Sequence, residues 1–231
     1  MKKLVLAIAL LLSVHTANSQ VLIALIFGDA LNTGNVEFGL DGGFNWSSIQ
    51  GVPGAKNLPI WNLGFYFDIK LKDPAWMIHT GVIVKSTMGT NNAPLYSLGD
   101  RNLDSVFAGG SVTTKLNYFN VPIMLKYKFS NNVYVEGGAM LGLMYGATDQ
   151  FVNSVHEDED LTYDRNVKSA YHPLDAGAMV GVGYRLLGGD GMNLGIRYYY
   201  GVVDVSIDDS TPGQYNRAIY LTLGIPIGVG K

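Results

Sequence analysis

Apolar and polar residues alternate with a period of two in eight separate stretches of this chain. From residue 35 to 46, Val36, Phe38, Leu40, Phe44 and Trp46 share one face, against Glu37, Gly39, Asp41 and Asn45 on the other. From 61 to 71, Trp61, Leu63, Phe65, Phe67 and Ile69 oppose Asn62, Gly64, Tyr66, Asp68 and Lys70. The stretch 76–88 is weaker, with Ile78, Val82 and Val84 against His79, Gly81 and Lys85. In 116–129, Phe119, Val121, Ile123, Leu125 and Tyr127 oppose Asn120, Met124 and Lys126. The pattern returns over 133–145, 174–186, 192–200 and 219–229, where Val135, Leu141, Val180, Ile196 and Leu221 oppose Glu136, Gly181, Arg197 and Tyr220. Each stretch comes near or exceeds the roughly 9–11 residues that a tilted membrane strand requires.

The connections alternate as well. Short links fall at 72–75, 130–132 and 187–191, long ones at 47–60, 89–115, 146–173 and 206–217. Short turns on one side and long loops on the other predict an all-β, eight-stranded antiparallel up-and-down transmembrane barrel, with periplasmic turns and extracellular loops. The rival is a soluble lipocalin-like binding barrel, whose outward face should be rich in Lys, Glu and Thr. Here the polar face is mostly Gly, Asn and isolated charges. Bulky aromatic residues stand at strand ends (Trp46, Trp61, Tyr127, Phe129, Tyr145, Tyr198 and Tyr200), as interfacial girdles do.

Composition agrees. Charged residues make up only 15% of the 231 positions, there are 29 glycines, and cysteine is absent, which excludes disulfides and thiolate chemistry. A net charge of −3 offers nucleic acid no basic footprint. Lys2 and Lys3, an apolar run from 4 to 12 and Ala17-Asn18-Ser19 predict a signal peptide over 1–19. Residues 20–34 form an N-terminal periplasmic or interfacial segment, in which the apolar stretch 21–27 has no assigned place, and 35–231 form the barrel. The expected location is the bacterial outer membrane.

Eight strands enclose only enough room for their own side chains. Glycines on the inner face (Gly39, Gly64, Gly81, Gly138, Gly181 and Gly195) make space for large polar groups beside them, so a plugged lumen is expected rather than a channel. Closing the turn at 130–132 puts Lys126 opposite Glu136, and closing 72–75 puts Asp68 opposite His79. Closing 187–191 puts Arg197 beside Gly181. With Asp175 and Arg185 on the same face, these residues predict a structural polar network in the lumen. An acid–base pair of Asp68 and His79 in a lipid-modifying barrel enzyme is the alternative, but no Ser joins the pair at a nucleophile's spacing. The chain is accordingly expected to be non-catalytic and without cofactors. Glu157, Asp158, Glu159 and Asp160 sit in the third long loop; they read as a solvated tip, or as a weak divalent-cation loop lacking EF-hand spacing. Pro122 and Pro226 each remove a ladder donor, which suits a strand end or bulge.

The segments 38–47 (Phe-Gly-Leu-Asp-Gly-Gly-Phe-Asn-Trp-Ser) and 118–127 (Tyr-Phe-Asn-Val-Pro-Ile-Met-Leu-Lys-Tyr), together with the glycine-rich stretch 175–184, resemble the PorT-like outer-membrane β-barrel family of Gram-negative bacteria. The resemblance implies a barrel in contact with outer-membrane lipids and lipopolysaccharide, and other envelope or secretion proteins as partners. Its namesake takes part in type IX secretion. A monomer is expected.

Overall fold

The computed structural model describes residues 33–156, 159–208, 210 and 212–227. The expected signal peptide and the stretch 21–27 lie outside the described residues. The strands are β1 (Val36–Gln50), β2 (Leu58–Lys70), β3 (Trp76–Ala93), β4 (Ser111–Lys128), β5 (Val133–His156), β6 (Glu159–Asn166), β7 (Leu174–Arg185), β8 (Asn193–Gly201) and β9 (Tyr215–Pro226); one helix, α1 (Arg101–Val106), lies between β3 and β4. Successive strands pair antiparallel except β6 and β7; β5 pairs with β7, and β9 returns to β1, with Gly224 opposite Asp41. Eight strands therefore close a ring with no open edge. The ninth, β6, pairs with β5 alone.

That ninth strand corrects one expectation. The pattern predicts a loop over 146–173, yet β5 continues to His156 and returns through β6 to Asn166 as a hairpin standing above the ring. Ladder bonds need no apolar alternation, so polar residues such as Thr148, Gln150 and Thr162 continue the strands after the hydrophobic pattern has faded. For the same reason β1, β3 and β4 reach further toward the long loops than their patterns suggested.

The registers at the short turns match the sequence arithmetic: Asp68 faces His79, Lys126 faces Glu136, and Gly181 faces Arg197. Inside and outside are decided by exposure. Leu141, Val180 and Ile196 are 50, 57 and 53% exposed, whereas Glu136 and Arg197 are 5 and 4% exposed. An apolar band of this extent around the whole ring is a membrane-facing wall, because a soluble monomer does not expose patches of that size.

Two local features depart from the pattern. Between β2 and β3, Leu63 faces Lys85 while Gly64 faces Ile83, so Val84 of β3 is a bulge residue. Alternation inverts there: Ile83 and Val84 are buried, and Lys85, expected in the lumen, lies outside with its Nζ 3.4 Å from the centroid of the Trp61 ring. Pro226 closes β9 as expected, but Pro122 lies within β4. The β3–β4 pairs on either side of it, Thr80–Ile123 and Ile83–Asn120, keep one register, so the missing donor falls between them.

Candidate functional site in the lumen and at its mouth

Alternation aims one side chain in two at the barrel axis, and near the short turns those side chains are charged. Lys126 Nζ donates to Asp68 Oδ2 at 2.8 Å, and His79 Nδ1 lies 2.6 Å from Asp68 Oδ1. Arg197 spans the axis. Its Nε donates to Glu136 Oε1 at 2.5 Å, its Nη1 to Asp41 Oδ2 at 2.9 Å, and its Nη2 lies 3.0 Å from His79 Nε2. A guanidinium only donates, so Nε2 accepts and the ring proton sits on Nδ1, facing Asp68. Closer still to the turns, Arg185 forks onto Glu37 at 3.0 and 2.6 Å, and Tyr66 donates its hydroxyl to Glu37 at 2.9 Å. Space for these groups comes from glycine. A Cβ on Gly181 would stand 2.9 Å from Arg197 Cγ and 3.0 Å from Glu136 Oε1. The rings of Tyr66 and Tyr134 lie over Gly39 and over Gly183, where any side chain would collide with them.

Six of the seven residues expected in the polar network, Asp68, His79, Lys126, Glu136, Arg185 and Arg197, thus lie in this ionic floor. Lys126, although opposite Glu136, bonds Asp68. Glu37 and Asp41, both on the inner face of the first stretch, were not singled out from the sequence. They enter because the ring closes β1 against β9 and brings β8 and β7 within reach. Asp175 stands apart, in the upper half, where it accepts from Asn216 Nδ2 at 2.8 Å.

That upper half holds an apolar cluster beside buried Asn45, Asn120, Asp175 and Asn216, contrary to an interior of glycines and ions throughout. Met88, Met124, Met140, Met144 and Met179 pack with Ile49, Leu116, Tyr199 and Tyr220. Val205, from the β8–β9 loop, reaches into this cluster and is fully buried, with Val167 and Tyr171 packed against it. Methionines at alternate positions with the glycines were the available signal; their unbranched chains fill irregular space.

Above the mouth, Phe107 after α1 packs on Phe151 of β5 and lies 6.4 Å, centroid to centroid, from Tyr163 of β6. A cavity of about 590 Å³ opens beside them, lined by Tyr96, Asp149, Arg165, Tyr171 and Gln214. Asp149 accepts from Tyr96 at 2.8 Å and from Thr114 at 2.6 Å. Burial pushes the Tyr171 hydroxyl up to about 12. In the acidic cluster, Glu157 and Asp158 lie outside the described residues, while Glu159 and Asp160 begin β6, paired with His156 and Ser154. Among the described residues no group of three or more His, Asp or Glu stands close enough to hold a metal ion.

The family described as outer membrane protein beta-barrel domain matches residues 19–206. The chain belongs to that family. The apolar wall therefore faces outer-membrane lipid, the short turns lie on the periplasmic side and the long loops outside the cell. Among solved structures, the chain is similar to Ail, the attachment invasion locus protein of Yersinia pestis (11% identity, 84% of this chain and 100% of that one, TM-score 0.44). It is also similar to Neisserial surface protein A (13% identity, 83% and 96%, TM-score 0.41). A third is the outer membrane protein OprG from Pseudomonas aeruginosa (13% identity, 83% and 93%, TM-score 0.36). No curated protein matches the sequence.

Proposed function

We propose that this outer-membrane barrel is non-catalytic, carries a plugged lumen, and works as a structural or interaction component through its extracellular loops. The observation that carries the reading is Arg197. Buried at the axis, it bonds side chains from β1, β3 and β5 at once, leaving a solute no straight path past it. The apolar cluster of the upper half, which includes Val205 of the β8–β9 loop, supports the same reading from the other end. Both ring nitrogens of His79 are engaged and the ring is 2% exposed, which argues against acid–base work on a lipid. With the axis closed, traffic with the outside falls to α1, the β5–β6 hairpin and the cavity at the foot of that hairpin. The PorT-like segments at 38–47 and 118–127 favour a place beside the type IX secretion machinery, with envelope or secretion proteins as partners of a monomer bathed in lipopolysaccharide.

Two measurements test this. In planar bilayers, the folded protein is expected to give no discrete conductance steps; regular open-channel steps would overturn the plug. In cells, photo-cross-linkers at residues 98 and 163 are expected to capture an envelope protein. A lipid A profile that changes between the wild type and His79→Gln would instead favour the enzyme.

A further inference from the structure

The outer wall holds a crevice of about 720 Å³ beneath the β1–β2 turn. Two rows of paired residues build it. The lower row, Trp46, Ile219 and Tyr198, is apolar and exposed; the upper row, Ser48, Arg217 and Tyr200, is polar. The Arg217 guanidinium lies over the Tyr200 ring, 3.6 Å from its centroid. Its Nη1 donates to the carbonyls of Gly201 at 2.6 Å and Asn216 at 2.9 Å, leaving the Nε–Nη2 edge of the fork for a ligand. No acidic residue lines the crevice, and Arg217 makes no salt bridge among the described residues.

A cation held on an aromatic face, directly above apolar side chains at the edge of a membrane wall, matches an anionic headgroup above its acyl chains. Since the long-loop end is extracellular, the lipid at this level is that of the outer leaflet. We infer that this crevice is a binding site for the phosphorylated headgroup of an outer-leaflet glycolipid: Arg217 pairs bidentately with the phosphate, and an acyl chain lies along Trp46, Ile219 and Tyr198. The assignment rests on the membrane orientation and is independent of whether the lumen is plugged.

The test uses the folded protein in nanodiscs, offered lipopolysaccharide with intact phosphates or the same lipid after dephosphorylation, with retained lipid read by native mass spectrometry. The phosphorylated form should be retained about fivefold more, the worth of one cation at a charged lipid surface. Arg217→Gln should erase the preference, Arg217→Lys should keep part of it, and Lys72→Gln, at the periplasmic end, should leave it unchanged. Should Arg217→Gln fail to fold, Ser48→Glu, which sets a carboxylate opposite Arg217, should erase the preference instead. Equal retention of both lipids by the wild type, a preference surviving both Arg217→Gln and Ser48→Glu, or displacement of the lipid by millimolar inorganic phosphate would each overturn the site. Heat-dependent gel migration, which reports the barrel itself, is unaffected by any of these results, so its loss would count against the membrane reading alone.

Discussion

Lys126 is paired with Glu136 across the β4–β5 ladder, yet its ammonium rests 2.8 Å from Asp68, two strands away on β2. Glu136 is left to Arg197, which also serves Asp41. Removing Arg197 therefore strands two buried carboxylates, a change that costs about 3–5 kcal/mol where one partner of a buried pair is deleted. Arg197→Met is expected to lower folding stability in lipid vesicles by that amount, read from urea titration of the heat-modifiable gel form. Glu136→Gln should cost less, because Asp41 remains for the guanidinium. An Arg197→Met protein within about 1 kcal/mol of wild type would contradict the network's role.

Gly181 and Gly137 lie on adjacent strands but face opposite ways. A Cβ on Gly181 would press on Arg197 and Glu136, whereas the nearest atoms to one on Gly137 are 3.8 and 3.9 Å away, an ordinary contact. Gly181→Ala should destabilise by about 1–3 kcal/mol through overpacking. Gly137→Ala should be neutral or slightly stabilising, since it only restricts the unfolded chain. Equal effects at the two sites would mean that the lumen has slack.

How far the sequence could be read follows from how each contact is fixed. Asp68–His79 and Arg197–Gly181 were legible because a turn of a few residues sets the register of its own hairpin. Glu37–Arg185, 148 residues apart, was not, since no turn joins β1 to its neighbour β9 and only ring closure brings the two together. Bulges hid other positions. At Val84 one extra residue inverts the alternation and turns Lys85 out toward Trp61. At Tyr145 a second bulge sends Ala147, Asp149 and Phe151 inward, so the pattern seemed to stop where β5 in fact continues. The loop-built cavity had no sequence signal, because Tyr96, Asp149, Arg165 and Gln214 come from separate segments.

The three tryptophans of the chain test the wall directly. Trp46 and Trp61 project from it near the long loops and Trp76 near the short turns, each 39–46% exposed. In single-tryptophan variants, lipids brominated near the headgroup should quench all three more strongly than lipids brominated at the chain ends. Interfacial residues at both rims require that order. Absence of quenching at any one of them would move that rim out of the membrane.

The extracellular helix carries a local pH dependence. Asp104 accepts from the Ser97 hydroxyl at 2.6 Å and from the Leu98 amide at 2.7 Å, and these bonds hold its carboxyl below the ordinary 3.8. A depressed carboxyl contributes stability above its unfolded value and loses it as pH falls through the folded one. Below about pH 4 the Ser97–Leu98 turn should therefore loosen from α1, seen as an upfield move of the Leu98 amide proton. Asp104→Asn should remove that dependence without altering barrel migration on a gel; a Leu98 titration unchanged by the substitution would assign the effect elsewhere.

The hairpin above the mouth is held by its own ladder, by pairing of residues 147–152 of β5 with 111–116 of β4, and by a cluster of rings in which Phe151 is central. Its ring lies 5.1 Å from that of Tyr96, 6.0 Å from Phe107 and 6.4 Å from Tyr163, so it joins the β3–β4 loop to both hairpin strands. Replacing a buried phenylalanine by alanine costs about 3–5 kcal/mol in a packed core. Here the loss falls outside the closed ring, at the strand that pairs with β5 alone, so β6 is expected to open before the barrel does. Phe151→Ala should expose the hairpin to external protease while the ring keeps its heat-dependent migration. If the hairpin is a working surface, capture of a partner by a cross-linker at residue 163 should fall with it. Protease resistance equal to the wild type would show that the ladder alone holds the hairpin upright, and unimpaired capture in a nicked protein would place the interacting surface on α1 instead.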